Sequence, residues 1–381
     1  MFLIRLLKVI FTKNFWTYPK KKKNLIIDIA GSEELFMSNI LEKNETLVID
    51  LHDYNWANIF ILVNAFLKWP KLLKQDKFCF IFLSYIDLIK AKNVITWMDY
   101  IISFYRLKNY NKSPKYISIQ TGRRSIEPGQ FFDSLNRLAD KSLSCDYIFC
   151  FGEAHKREYE RYIKCTAIPS GSVRNNIVPI KSKKPLKEIL FISQFRKNSG
   201  NVFIKYFEEI SHERFYLAEK LLFDRLVPYC IKNNLRLNVL SAIKFSESEE
   251  KNFYNQLTKG FEINFLSHES FDSGYNYVDS YEYIVGINST LAYEALGRGK
   301  KVVFFDARNE ICGIPFDLFG WPLNLTSRGD FWSNKINDSE FNRLMDFLIT
   351  TPNDEWSAKF FDIKTELMQY DFSNPFLREV V

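Results

Sequence analysis

A chain of 381 residues, 46% hydrophobic and 25% charged, is too long for one ordinary core and too apolar for disorder, which leaves a folded protein of two domains. Its net charge of +7 sits at one end: residues 1–23 hold seven bases and no acid, so the remaining 45 bases meet 45 acids, and a body without charge excess argues against nucleic acid as a partner. Six cysteines without a CxxC pair, and four histidines scattered at 52, 155, 212 and 268, exclude a disulfide framework and a structural zinc site and fit the reduced thiols of a cytoplasmic protein.

The first segment, MFLIRLLKVIFTKNFWTYPKKKK, mixes apolar clusters with single positive charges. Arg5 and Lys8 interrupt the apolar run, so it is too short and too charged to span a bilayer, and no small-residue cleavage pattern follows it. It reads as an interfacial helix with Phe11, Phe15 and Trp16 in the lipid boundary and its lysines on an anionic membrane surface. The alternative is a basic start that packs on the domain.

Residues 24–177 read as the first domain. NLIIDIA (24–30), TLVIDL (46–51), KFCFIFL (77–83), KYISIQ (115–120) and DYIFCFG (146–152) are the expected buried strands, with helices near 56–67 and 131–142 between them. Near-continuous apolar strands alternating with helices predict a parallel sheet covered on both faces. His52 and Asp53 follow the second strand, where Asp53 suits a helix N-cap; a catalytic role toward the acceptor is its other reading. Gln120, Arg123, Arg124 and Glu127 emerge from the fourth strand into a loop at the domain edge. Glu127 could act as base or acid on an acceptor hydroxyl and the arginines could hold phosphate or carboxylate; the plain alternative is an Arg/Glu pair bracing the loop. Gly171 and Ser172, in IPSGSVRNN, stand at the crossing between domains and read as a hinge or a simple turn. The Pro-, Lys- and Ser-rich run 179–188 is the linker.

Residues 178–350 continue the alternation as a second domain, with strands at 188–194, 236–242, 261–266, 281–287 and 301–305 and an amphipathic helix at 216–233. Arg196 and Lys197 follow its first strand, placed to meet a diphosphate or to line a solvated loop. In YIVGINSTLAYEALGRGKKVVFF (283–305) a strand hands over to a helix at Ser289 and Thr290, where unpaired N–H groups and the positive helix end make an anion site. Glu294 lies four residues on, on the same helix face. A capping box would put the acid at Ala292 or Tyr293 instead. A phosphate over Ser289 and Thr290 with a hydroxyl-seeking carboxylate beside it suits the diphosphate and ribose of a nucleotide; a cap with a solvated glutamate is the alternative. His155, His212 and His268 have no partners by spacing and read as surface or structural. Residues 320–335 carry two tryptophans in a polar loop, either packed or lining a lip of the donor pocket. Residues 351–381 read as a helical tail packing back across both domains. GxGxxG, Walker, HExxH and GxSxG motifs are missing from the sequence.

The segments ISIQTGRRS, CDYIFCFGEAHKREYERYI leading to IPSGSVRNN, ILFISQFR, INSTLAYEALGRGKKVVFF and GDFWSN, between about residues 115 and 335, carry a resemblance. The chain resembles bacterial surface-polysaccharide (O-antigen or capsule) biosynthesis proteins that look like GT-B glycosyltransferases. It departs from their usual pattern at Thr121, where an asparagine is usual, and at Ala292, where a glycine is. The resemblance implies two Rossmann-like α/β domains facing across a cleft, with a nucleotide-sugar donor held mainly by the second. It also implies metal-independent sugar transfer, with no cofactor, to a lipid-linked or growing glycan. Ser289, Thr290, Glu294 and Arg196 would then be donor-side, and the Gln120–Glu127 loop would face the acceptor. The expectation is a cytoplasmic transferase on the inner face of the cell membrane, using a nucleoside-diphosphate sugar or a CMP-linked acidic sugar. A nucleotide-sugar epimerase and a non-catalytic partner of the polysaccharide machinery are its rivals.

Overall fold

The computed structural model describes residues 13–28, 32–51, 57–124, 130–181, 184–196, 210–242, 247–312 and 318–381. The first sheet holds β1 (Asn24–Ile27), β2 (Thr46–Ile49), β3 (Asn93–Thr96), β4 (Lys115–Ile119), β5 (Ser144–Cys150) and β6 (Lys164–Pro169). Their order is β2-β1-β3-β4-β5-β6 and every pairing is parallel. The second sheet holds β7 (Leu186–Ile192), β8 (Leu237–Leu240), β9 (Asn264–Leu266), β10 (Tyr281–Gly286), β11 (Lys301–Phe305) and β12 (Trp332–Ser333). Its order is β12-β11-β10-β7-β8-β9, again all parallel. The order in which the chain adds strands reverses once in each sheet, between β1 and β3 in the first and between β7 and β10 in the second. In such sheets a ligand crevice opens beyond the carboxyl ends of the strands at these switch points.

Each sheet is buried on both faces, which is why its strands are apolar without alternation. Leu25 and Ile27 face one core with the Lys77–Ile89 helix, while Ile26, Ile95, Ile117 and Phe149 face another. In the second domain one large cluster surrounds β7, β10 and β11.

Three local expectations are corrected. KFCFIFL is not a strand but the start of the Lys77–Ile89 helix, capped by Asp76, whose carboxylate accepts the Cys79 N–H at 3.1 Å. The apolar run continues through Ile89 because nine of its residues are buried on several sides, and length decides between helix and strand where periodicity cannot. The strand itself is β3, four residues further on. The helix after β2 is capped by Asn58, whose side chain accepts the Phe60 and Ile61 N–H groups, not by Asp53, which lies outside the described residues. Phe15, expected in the lipid boundary, is buried against Ala57, Ile59 and Leu62.

The carboxyl-terminal stretch binds both domains. The Asn353–Leu367 helix puts Trp356, Phe360 and Leu367 into the second core, while the Pro375–Val380 helix puts Leu377 and Val380 into the first. Between them the Gln369 N–H reaches the Phe151 carbonyl at 2.8 Å and Tyr370 pairs with Gly171. Gly171 has φ of +85°, and a Cβ there would run into the Gln369 carbonyl oxygen. The glycine therefore makes room for the chain's own tail rather than for a ligand. Gly171→Ala is expected to lower stability in urea unfolding by about 2 kcal/mol, from backbone strain and a displaced tail; an unchanged midpoint would show that the tail is not held there.

Candidate functional site

The loops after β3, β4, β8, β9 and β10 leave the carboxyl edges of the two sheets and meet around a cavity of about 460 Å³. The first domain contributes Trp97, Gln120 and Thr121, and the crossing contributes Ser172 and Arg174. The second contributes His268, Phe271 and Tyr275 along one wall and Thr290, Leu291 and Glu294 along the other. A larger cavity of about 690 Å³ lies at the opposite edge of the first sheet, by Lys92, Asn93 and Lys115. That edge holds the amino ends of the strands, so the interdomain cavity is the better ligand site.

The residues expected on the donor side, Arg196 apart, come together through one local turn. β10 ends at Gly286, Ser289 takes the N-cap position and Thr290 begins an eight-residue helix. Ser289 is extended (φ −76°, ψ 137°) and its side chain makes no capping bond, leaving the helix start open to an anion. Ala292 fits because Gly286 opposes it: a Cβ on Gly286 would come within 2.9 Å of the Ala292 Cβ. The switch point beside this turn is tied by Gln194, whose side-chain oxygen accepts the Asn288 N–H and an Arg308 N–H, each at 3.1 Å.

Glu294 faces the cavity while nearly buried, at 6% exposure. Its Oε1 accepts the Tyr275 hydroxyl at 3.2 Å. Burial pushes its carboxyl pKa up, and the Ser172 hydroxyl, Arg174, Tyr275 and Arg298 pull the other way. Ser172 and Glu294 therefore line the same cavity side by side, which spacing could not show.

On the first domain, Gln120 is buried and braces strand ends: its oxygen accepts the Phe151 N–H at 3.0 Å and its amide donates to the Gly122 carbonyl at 3.1 Å. The Arg123 N–H donates to the Thr290 hydroxyl at 3.4 Å across the domain boundary, and its guanidinium lies 5.8 Å from the Tyr293 ring centre. Arg124 is committed elsewhere. It pairs with fully buried Asp99, donating from Nε at 2.6 Å, and Tyr159 donates to the same carboxylate at 2.6 Å. The loop is thus braced by an Arg/Asp pair, and Arg124 is not free to hold a phosphate. Arg196 is exposed beyond β7, with its backbone N–H on the Tyr216 hydroxyl at 2.7 Å, and it does not line the cavity. Glu127, Asp53, His52 and Lys197 lie outside the described residues.

Sequence reasoning missed Trp97, Arg174 and His268. His268 sits just past β9 in the cavity wall, its Nε2–H donating to the Ser241 carbonyl at 2.8 Å. Trp97 sits just past β3, almost fully buried, and its indole N–H has no acceptor among the described residues. A position directly after a parallel strand was the available signal for both. His155, read as surface or structural, is buried, and burial pushes its pKa down to about 3. Trp321 of the 320–335 loop packs against Phe132 and His155 of the first domain, 5.0 and 6.1 Å between ring centres. Among the described residues no three His, Cys, Asp or Glu side chains are grouped to hold a metal ion.

A family model described as "putative O-antigen biosynthesis protein" matches residues 117–381. Comparison with curated proteins gives no match. Among solved structures, the fold is similar to a "putative UDP-N-acetylglucosamine 2-epimerase" from Listeria monocytogenes, with TM-score 0.55, 13% identity and 94% of each chain covered. It is similar to MnaA of S. aureus in complex with UDP, with TM-score 0.52, 15% identity and 94% of each chain covered. It is also similar to the wall teichoic acid polymerase TagF, with TM-score 0.52 and 9% identity over 99% of this chain and 92% of that one. The likeness is one of fold: two parallel-sheet domains of the GT-B kind.

Proposed function

The chain belongs to the family of putative O-antigen biosynthesis proteins, and from that premise we propose that it is a glycosyltransferase of surface-polysaccharide assembly. In this reading it moves a sugar from a nucleoside-diphosphate sugar or a CMP-linked acidic sugar to a lipid-linked or growing glycan. One observation carries the reading: the first helical residue Thr290, after a Ser289 N-cap whose side chain makes no capping bond, and the buried carboxylate of Glu294 share a cavity between two parallel sheets. The helix amino terminus stabilises the charge that grows on the leaving phosphate, where other enzymes use a metal ion. The donor is a substrate, and the transfer asks for no cofactor.

The Tyr275 hydroxyl now occupies Glu294, with Ser172 beside it, and ribose hydroxyls would take that place. That exchange would release Ser172 from the donor side and let the Gly171–Ser172 crossing flex as the donor enters. Arg196, beyond β7, would approach the diphosphate once the donor is bound. The acceptor enters past the loop that begins at Gln120 and includes Arg123, with the Trp97 indole N–H available to one of its oxygens. Glu127 or Asp53 takes the proton of its attacking hydroxyl. The enzyme works on the cytoplasmic face of the cell membrane, where a lipid-linked acceptor is held.

The test is a thermal-shift series with CMP, CDP, UDP, GDP, dTDP and ADP on the wild type and Glu294→Ala. A nucleotide at a hundredfold excess over its Kd stabilises the fold by about 2.7 kcal/mol. One nucleotide is expected to raise the wild-type melting temperature and to leave the variant unmoved. A flat response to all six would overturn the donor site. If the matching nucleotide sugar is isomerised without any acceptor, the protein is an epimerase and the transferase reading fails.

A further inference from the structure

The Ile59–Lys68 helix, IFILVNAFLK, has one asparagine and one lysine in ten residues. A helix apolar on all sides belongs inside a core or at a lipid boundary. Only part of this one is in the core: Ile61 and Ala65 are buried. On the outer side Phe60, Val63, Phe66 and Leu67 remain open, Leu67 at 78% and Phe66 at 53% exposure. Phe60, Val63 and Leu67 follow each other at helical spacing, so they form one stripe.

A second segment extends the stripe. Asn58, while capping the helix, donates from its amide to the carbonyls of Asn14 and Thr17 at 2.7 and 2.8 Å. Phe15 is buried under this turn and Tyr18 meets Phe60 edge to face, 5.2 Å between ring centres. Trp16 and Tyr18 are thereby held beside the helix and outside the core, 60% and 56% exposed. Residues 14–23 and 57–75 carry Lys20 to Lys23, Lys68, Lys71 and Lys74 and no acid, and of these Lys68 is paired with Asp87 at 3.0 Å. No helix among the described residues is long and apolar enough to cross a membrane.

We infer that this face, built from the Ile59–Lys68 helix and the 14–18 turn, docks on a bilayer surface that carries anionic headgroups. It goes beyond the sugar-transfer reading, and rests on it only for the lipid-linked acceptor that docking would bring near. The aliphatic and phenyl groups of the helix enter the acyl boundary. Trp16 and Tyr18 sit at headgroup depth, and the lysines meet the negative surface. A second copy of the chain is the poorer occupant, because a two-fold contact would set Lys20 to Lys23, Lys71 and Lys74 against themselves. The docking element is therefore not the amino-terminal segment alone: Phe15, expected in lipid, instead joins that segment to the helix.

Vesicle flotation of the full-length protein tests the inference. Protein is expected to float with phosphatidylcholine vesicles containing about 30% phosphatidylglycerol and much less with pure phosphatidylcholine. Phe66→Ser with Leu67→Ser should weaken binding at least about tenfold. Lys71→Glu with Lys74→Glu should weaken it and flatten its dependence on salt. Phe361→Ser, equally exposed at 66% but on the second domain's Asn353–Leu367 helix, should change nothing. The inference is overturned if the serine pair floats like the wild type, or if the wild type does not float. It is equally overturned if the wild type is a dimer that the serine pair dissolves. Stabilisation by a nucleotide is read without vesicles and should survive in the serine pair, so failure of docking and failure of the donor site are separate results.

Discussion

Arg298→Met is expected to lower stability by about 3 kcal/mol, because it leaves a buried carboxylate without its nearest cation. Arg298 and Asp279 have no exposed side-chain surface, and the guanidinium reaches the carboxylate from Nε at 3.0 Å and Nη2 at 2.5 Å. Its other hydrogens go to the Asn175 side chain at 2.9 Å and to the carbonyls of Val178 and Pro179 at 3.0 and 3.1 Å. Those three residues begin the connection between the two sheets, so one side chain fixes where the second domain starts relative to the first. The rings of Tyr275 and Tyr370 lie 5.6 and 5.1 Å from the guanidinium carbon, adding the carboxyl-terminal stretch to the same joint. Asp279 keeps the Lys181 N–H at 2.9 Å and the Lys300 ammonium at 3.5 Å, which holds the loss below that of a bare buried charge. Urea unfolding of Arg298→Met and of Arg298→Met with Asp279→Asn makes the check. The double variant should recover part of the loss, and a single variant within about 1 kcal/mol of the wild type would rule out the buried pair as the joint.

Glu294→Gln is expected to weaken nucleotide binding about 30- to 150-fold, the loss of charge-assisted hydrogen bonds worth about 2–3 kcal/mol. The same change should stabilise the unliganded protein at neutral pH. Burial raises the carboxyl pKa of Glu294 in the folded state above its ordinary 4.5, so the folded protein binds a proton more tightly than the unfolded chain does. Stability of the wild type therefore falls as pH rises from the ordinary value through the raised one, while glutamine contributes no such loss. Below pH 4 the two proteins should melt together; toward pH 8 the variant should melt higher without nucleotide and lower with it. Parallel melting curves across that range would sink the idea that Glu294 is held charged against its burial for a ligand. Opposite signs with and without nucleotide are what a binding residue held at a stability cost produces.

The turn proposed for the donor was legible as a structural unit because it is local. Gly286, Ser289, Thr290 and Glu294 lie within nine residues of one strand, turn and helix, and chain geometry alone sets them on one edge and one face. The loop after β4 was less so. Gln120, Arg123 and Arg124 follow the same strand, yet one braces strand ends, one reaches Thr290 on the other domain and one is consumed by Asp99. Nothing in their spacing separates these fates, because each depends on a partner from another element. Trp97 was passed over because β3 has four residues and stands beside a longer apolar run that competed for the strand assignment.

Strand–helix alternation, the parallel sheets and the basic amino terminus followed from the chain itself, since burial on both faces and the period of each element are written in consecutive residues. Sheet order, the cavity between the sheets and the Arg298–Asp279 joint did not. They join residues 19 to more than 100 positions apart, as between Arg298 and Asn175, and are chosen by which partners can desolvate together. The same holds for the exposed stripe on the Ile59–Lys68 helix: its apolar residues are plain in the sequence, but only packing decides which of them the core leaves outside.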